Sequence, residues 1–191
     1  MKNTYLTSYL PILSILLFSL TFSVYGVGVF ETLSKKIGVY AGMSEFLSEM
    51  QLKLAILILL IMIFFMILAA LKLIAETING ISMLFFSIDS EGELYNKVRP
   101  GSMIYFIGGL VSVLSLQSFK GLIGIFVLTS VVYFFYFVNK ISSSLTKAGI
   151  LGVVSMQLFS WAALILTIFF VLIKLYNGLM ASLPIISEVK L

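Results

Sequence analysis

Five long stretches of this chain carry no charge: Asn3–Phe30, Leu54–Leu71, Pro100–Phe119, Gly121–Asn139 and Ala148–Ile173. They are 28, 18, 20, 19 and 26 residues long. A helix rises about 1.5 Å per residue, so about 20 residues cross a hydrocarbon core about 30 Å thick. Each stretch therefore suffices, or nearly so, for one crossing. Inside lipid a backbone group has no water to bond, which leaves helices and closed barrels as the only spanning structures. The stretches are apolar on every face and lack the period-two alternation of a barrel strand, so they read as helices.

Composition agrees. Of 191 residues, 61% are hydrophobic and 10% are charged, against about 25% charged in an average soluble domain. A water-soluble domain of this size cannot hide so much apolar surface. This excludes an ordinary cytosolic enzyme, a disordered tail and a nucleic-acid-binding domain. The 12 Lys+Arg against 8 Asp+Glu give a formal charge of +4, too scattered for a nucleic-acid footprint. There is no Cys and no His. That removes disulfides, thiolate metal sites, Cys nucleophiles, the commonest general base and the commonest metal ligand. No cofactor is expected.

The expected fold is an all-α, polytopic membrane helix bundle forming a single transmembrane domain over 1–191. Its five transmembrane helices fall at about 10–30, 53–75, 101–118, 121–139 and 149–174. Pro11 suits the first turn of the first helix. Val24-Tyr25-Gly26 is a poor cleavage signature and the apolar run is too long for a typical signal peptide, so the first segment reads as a span; cleavage would leave four. The 31–52 connection repeats Tyr40, Met43, Phe46, Leu47 and Met50 at helical steps. It reads as a short amphipathic interfacial helix, with Ser44 as a candidate cap. The polar connection 76–100 has an acidic turn at Asp89, Glu91 and Glu93, which lacks the spacing of a calcium loop. Helix two either continues past Asn79-Gly80 or breaks there. A few residues near Lys120 join the third and fourth spans, predicting an antiparallel hairpin. Lys and Arg divide six and six between the two sides, so the positive-inside rule returns no orientation.

Five residues are candidates for a polar intramembrane site or pathway: Glu31, Lys72, Glu76, Asn79 and Gln157. Charges at membrane depth usually line water or pair with each other. Lys72 and Glu76 lie one turn apart at the end of the second stretch, where an interfacial ion pair is the plainer reading. Glu31 reads as a helix-end residue at the headgroups, with the guard of an aqueous mouth as its alternative. Gln157 lies well inside the fifth stretch and reads as inter-helix glue or as part of a solute path. Two stripes of small residues, Ser19/Ser23/Gly26 and Gly108/Ser112/Ser115, predict close packing between the first and third helices. The second span, rich in Met and Phe, is expected to face lipid or a partner. In the aromatic run Tyr133–Phe137 the five residues cover every helix face, so an interfacial belt with some packing is expected.

Walker A, HExxH and Gly-x-Ser-x-Gly patterns are missing from the sequence, and a Ser–His dyad is impossible without His. The opening Lys2-Asn-Thr-Tyr-Leu-Thr-Ser-Tyr-Leu-Pro11 and the block Tyr25-Gly-Val-Gly-Val-Phe-Glu-Thr-Leu33 resemble the YufK-like membrane proteins of Gram-positive bacteria. The resemblance implies a bacterial cytoplasmic membrane protein and supplies no activity and no site residues. The function expected is a non-catalytic accessory or regulatory subunit of a membrane complex. An oligomeric channel or transporter is the alternative, and an intramembrane enzyme the third. The partners expected are the lipid bilayer and a second copy or another membrane protein.

Overall fold

The computed structural model describes residues 4–87 and 97–182, and every element in them is helical. The acidic turn at Asp89, Glu91 and Glu93 lies outside the described residues. Helix α1 runs Thr4–Lys36, α2 Val39–Phe46 and α3 Glu49–Phe86. A 3₁₀ turn at Arg99–Gly101 leads into α4, Ser102–Ser112, and a second at Val113–Ser115 leaves it. Helix α5 is Phe119–Ser142 and α6 is Lys147–Ser182.

The helix ends have local causes. Gly38 at φ 77° takes the left-handed conformation that closes α1, as glycine does at the position after a helix. Lys35 and Lys36 in the last turn of α1 favour its negative dipole end. The expected cap Ser44 lies within α2, where its hydroxyl donates to Ala41 O at 2.8 Å. Ser48 is the cap instead: its side chain accepts from Gln51 N, and the Gln51 side chain accepts from Ser48 N, a full capping box for α3. Pro11 is not in the first turn, because α1 begins at Thr4. Inside a membrane bundle, neighbouring groups offset the missing N–H. Helix α3 runs unbroken through Asn79-Gly80.

Pairs of facing residues set the directions. Phe22 stacks on Phe64 at 5.5 Å and Glu31 reaches Lys53, so α1 and α3 are antiparallel. Leu17 faces Gly109 and Thr21 bonds Ser112, so α1 and α4 are parallel. Tyr105 donates to Ser130 at 3.2 Å and Gly121 lies against Ser115, making α4 and α5 the antiparallel hairpin that the short connection predicted. Phe86 packs on Gly149 and Gly152, while Asn79 meets Gln157, so α3 and α6 are antiparallel.

Helix α1 is thus the spine, packed between α3 and α4. Phe18, Phe22, Leu68 and Leu122 form one core cluster around it, with Phe18 edge-on to Phe126 at 5.2 Å. A second cluster joins Val98, Phe137, Ile141 and Val153 where α3, α5 and α6 converge. The aromatic run divides as helical geometry requires: Phe137 is buried in this cluster and Phe135 is exposed.

Among the described residues, four helices are long and apolar enough to cross a membrane: α1, α3, α5 and α6. The expected fifth, α4, has only 11 residues of α-helix. Its ends tighten into 3₁₀ turns where Gly101 meets the rings of Tyr133 and Tyr136 and where the chain turns toward Ser118. Helices α1, α3 and α6 also run past the apolar stretches that marked them, because nothing at an apolar boundary stops helix hydrogen bonding.

Candidate functional site

Helix α3 carries polar residues on one line. Lys72, Glu76 and Asn79, followed by Met83 and Phe86, recur at three- and four-residue steps and therefore share a face. Lys72 donates to Glu76 Oε1 at 2.7 Å. Their side chains are 37% and 41% exposed. One turn on, Gln157 Nε2 of α6 donates to Asn79 Oδ1. Gln157 is 4% exposed, so this amide pair is the polar clasp of the α3–α6 seam. Ser82 beside it is buried and satisfies its hydroxyl on Ile78 O. Phe86 then lies over Gly149 and Gly152, where a Cβ at Gly152 would come within 2.9 Å of Phe86 Cζ.

The seam ends close to this clasp. Beyond Gln157, Ser160, Trp161 and Leu164 are half-buried, and from Ile165 to Met180 every residue of α6 is exposed. On α3, Ile58, Met62 and Met66 are exposed too. Among the described residues, the two helices therefore part at about the level of Lys72, and each leaves apolar surface exposed beyond it.

Glu31 belongs elsewhere, at the end where α1 meets α2 and α3. It accepts from Lys35 at 2.6 Å and lies 3.9 Å from Lys53, which also pairs with Glu49 at 2.8 Å. Lys35 Nζ sits 4.7 Å from the Tyr40 ring centre. Two acids and two bases thus offset each other at a rim. Below them an open groove of about 590 Å³ runs between α1 and α3, lined by Val24, Val27, Met50, Leu54 and Leu57.

The small-residue stripes each have a different neighbour. Ser19 and Ser23 are fully buried on the face of Gly26, which opposes Leu60 and Phe64 of α3. Their hydroxyls bond back to Ile15 O and Ser19 O, as Ser does within membrane helices. Gly108 opposes Thr129 of α5, and Ser115 opposes Gly121. Only Ser112 reaches α1, bonding Thr21 at 3.0 Å. The stripes do not meet each other: the first seats α1 on α3, while the second serves mainly the α4–α5 hairpin. The reason is rotation about the helix axis, which turns Leu17 and Thr21 of α1 toward α4 rather than Ser19 and Ser23.

A family model described as a family of unknown function (DUF5366) matches residues 27–184. The chain is also 40% identical over 185 residues to "Uncharacterized membrane protein YufK" of Bacillus subtilis (strain 168), covering 97% of this chain and 100% of that relative. The chain belongs to the DUF5366 family. No solved structure matches. The resemblance read from Lys2–Pro11 and Tyr25–Leu33 is borne out. With a membrane-protein relative and four long apolar helices, this DUF5366 chain is a multi-pass integral protein of the cell membrane.

The DUF5366 fold brings Lys72, Glu76, Asn79 and Gln157 onto one seam and leaves Glu31 at the far end of α1. Sequence reading missed Thr129 against Gly108, Thr21 against Ser112, and Phe86 over Gly149 and Gly152. Two small residues three apart at the start of the fifth stretch were a visible signal for the last. Thr21 and Thr129 had none, because a hydroxyl that bonds its own helix looks the same in any apolar run.

Proposed function

We propose that this protein is a non-catalytic accessory subunit of a membrane complex, crossing the bilayer five times and docking a partner's helix along α6. The observation that carries this is the exposed, mostly apolar stretch 165–175 of α6. In lipid, apolar side chains gain little by leaving one hydrocarbon surface for another, so helices associate through close packing. The first half of α6 is packed in this way, on the two glycines and the amide clasp. The second half leaves Leu166, Phe169, Phe170 and Leu172 exposed among the described residues, although it continues the same helix. A partner helix seated there completes the packing that α3 begins.

The fifth crossing is α4. Val98, Gly101, Val113 and Leu116 all keep right-handed helical torsions, so the α-helix and its flanking 3₁₀ turns form one rod. At the standard rises it is about 28 Å long, close to the thickness of the hydrocarbon core.

The test is gentle solubilisation followed by native mass spectrometry, on the natural chain and on a variant with Leu166, Phe169 and Phe170 changed to Ala. A hetero-complex that weakens at least tenfold in the variant is expected. A species containing no other protein, or a complex indifferent to the three substitutions, overturns the reading. A channel or transporter is the second reading, favoured by the polar line of Lys72, Glu76, Asn79 and Gln157. Flux into proteoliposomes across a broad ion and solute panel tests it.

A further inference from the structure

Lys72 closes the charge-free stretch of α3, and by sequence that places it at the edge of a span. Helix packing gives a different depth. Phe22 opposes Phe64, so two turns on, Lys72 is level with Ser14 of α1. Leu17 opposes Gly109 and Thr21 meets Ser112, which puts the same level at Phe106 of α4. Tyr105 meets Ser130, carrying it to about Thr129 of α5. Asn79 meets Gln157, carrying it to about Leu164 of α6. Each of these four residues lies within four positions of the middle of its own charge-free stretch, or about 6 Å at the standard rise. Glu76 is one turn nearer the end where α1 begins.

We infer that the Lys72–Glu76 pair lies inside the bilayer near its mid-depth, and that the face of α3 carrying it is covered by a second copy of this chain, each Lys72 also meeting the partner's Glu76. The inference depends on the chain lying in the membrane and not on any other protein it assembles with.

Three observations lead to it. Both side chains are more than a third exposed, and at this depth no water takes up their remaining hydrogen-bonding capacity. Lys has three donors and a carboxylate about four acceptor positions, and the pair in one chain uses one of each. A two-fold axis along the membrane normal keeps equal residues at equal depth, and because Lys72 Nζ already reaches along its own helix to Glu76 Oε1, each ammonium stands at the level of both carboxylates and meets the partner's Glu76 as well as its own. The resulting four-member ring alternates in sign and is neutral. On the face of the pair, one turn back, Ala69 is small and half-buried, which lets two backbones approach.

The test uses two differently tagged copies expressed together and isolated through one tag after gentle extraction. Lys72→Glu leaves two acids on the face, and Glu76→Lys leaves two bases. Wild type is expected to co-isolate with wild type. Each variant with itself should lose at least tenfold, and Lys72→Glu with Glu76→Lys should recover most of the wild-type yield. Recovery in the mixture also shows that both variants fold. Depth is read separately: the chain has no cysteine, so Leu73→Cys should resist a water-soluble maleimide from both sides while Ser143→Cys reacts. Ready labelling of Leu73→Cys, absence of wild-type co-isolation, or a mixture no better than the single variants overturns the inference.

Discussion

Gly108→Ala is the substitution whose effect follows most directly from the geometry. A Cβ on Gly108 would overlap Thr129 Oγ1 and stand 2.7 Å from its Cγ2 and 3.0 Å from its Cβ. Carbon pairs settle at about 3.5–4.0 Å, so α4 and α5 must separate by roughly 1 Å at this level. Thr129 cannot turn away easily: it is β-branched, and its hydroxyl is bonded to Ile125 O at 2.7 Å. Nor can α4 back away freely, because its backbone at the adjacent Gly109 lies so close to α1 that a Cβ placed there would stand 3.0 Å from Leu17 Cβ. Overpacking of this kind costs about 1–3 kcal/mol. The gain in helix propensity from Gly to Ala is at most about 1 kcal/mol. The clash therefore wins, and the expected net loss is about 1–2 kcal/mol. Equilibrium unfolding in mixed detergent–SDS micelles, followed by the fluorescence of the single Trp161 and by far-UV circular dichroism, measures it. Thr129→Ala in the same chain should return at least half of the loss, a coupling that a double-mutant cycle isolates. Gly124→Ala on α5, with nothing within 4 Å of its Cβ, should be neutral or slightly stabilising. If Gly108→Ala matched the natural chain, or Thr129→Ala recovered nothing, the close approach of α4 and α5 would be refuted.

The α3–α6 clasp makes a second prediction: Asn79→Leu or Gln157→Leu should each cost about 0.6–1.7 kcal/mol in the same unfolding assay. The double Leu variant should cost less than the two singles together, because no amide is left unpaired; simple additivity would argue against the bond. Ser48→Ala removes one half of the capping box and should cost about 1 kcal/mol. It should appear as faster hydrogen exchange at Gln51 and its neighbours in the first turn of α3, and unchanged exchange there would contradict the cap. Gly38→Ala forces a Cβ into the left-handed region at a cost of about 1–2 kcal/mol, although nothing crowds the site. Gly38→Asn should recover part of that loss, and equal stability of both variants with the natural chain would contradict the turn.

What the amino-acid order determined alone was everything a single helix decides for itself. Charge-free stretches of about 20 residues require lipid and require helix, because each residue's preference for hydrocarbon and each backbone bond within a helix are local facts. The hairpin around Lys120 was legible for the same reason, since so few residues leave no other path. The interfacial break at Gly38 and the run of α3 past Asn79 sit close to that boundary: a connection was visible, but its capping residue was not, because Ser44 and Ser48 differ only in which of them meets a Gln three positions on. Tertiary structure decided how far each helix slides and rotates against the next. Sliding placed Lys72 within about one helical turn of the middle of four other stretches, although its own stretch ends there. Rotation sent Ser19 and Ser23 to α3 and Thr21 to α4. Neither quantity has a local signature. Both arise from which side chains interlock across a seam, as Phe86 does on Gly149 and Gly152, and those partners lie 60 or more residues apart in the chain.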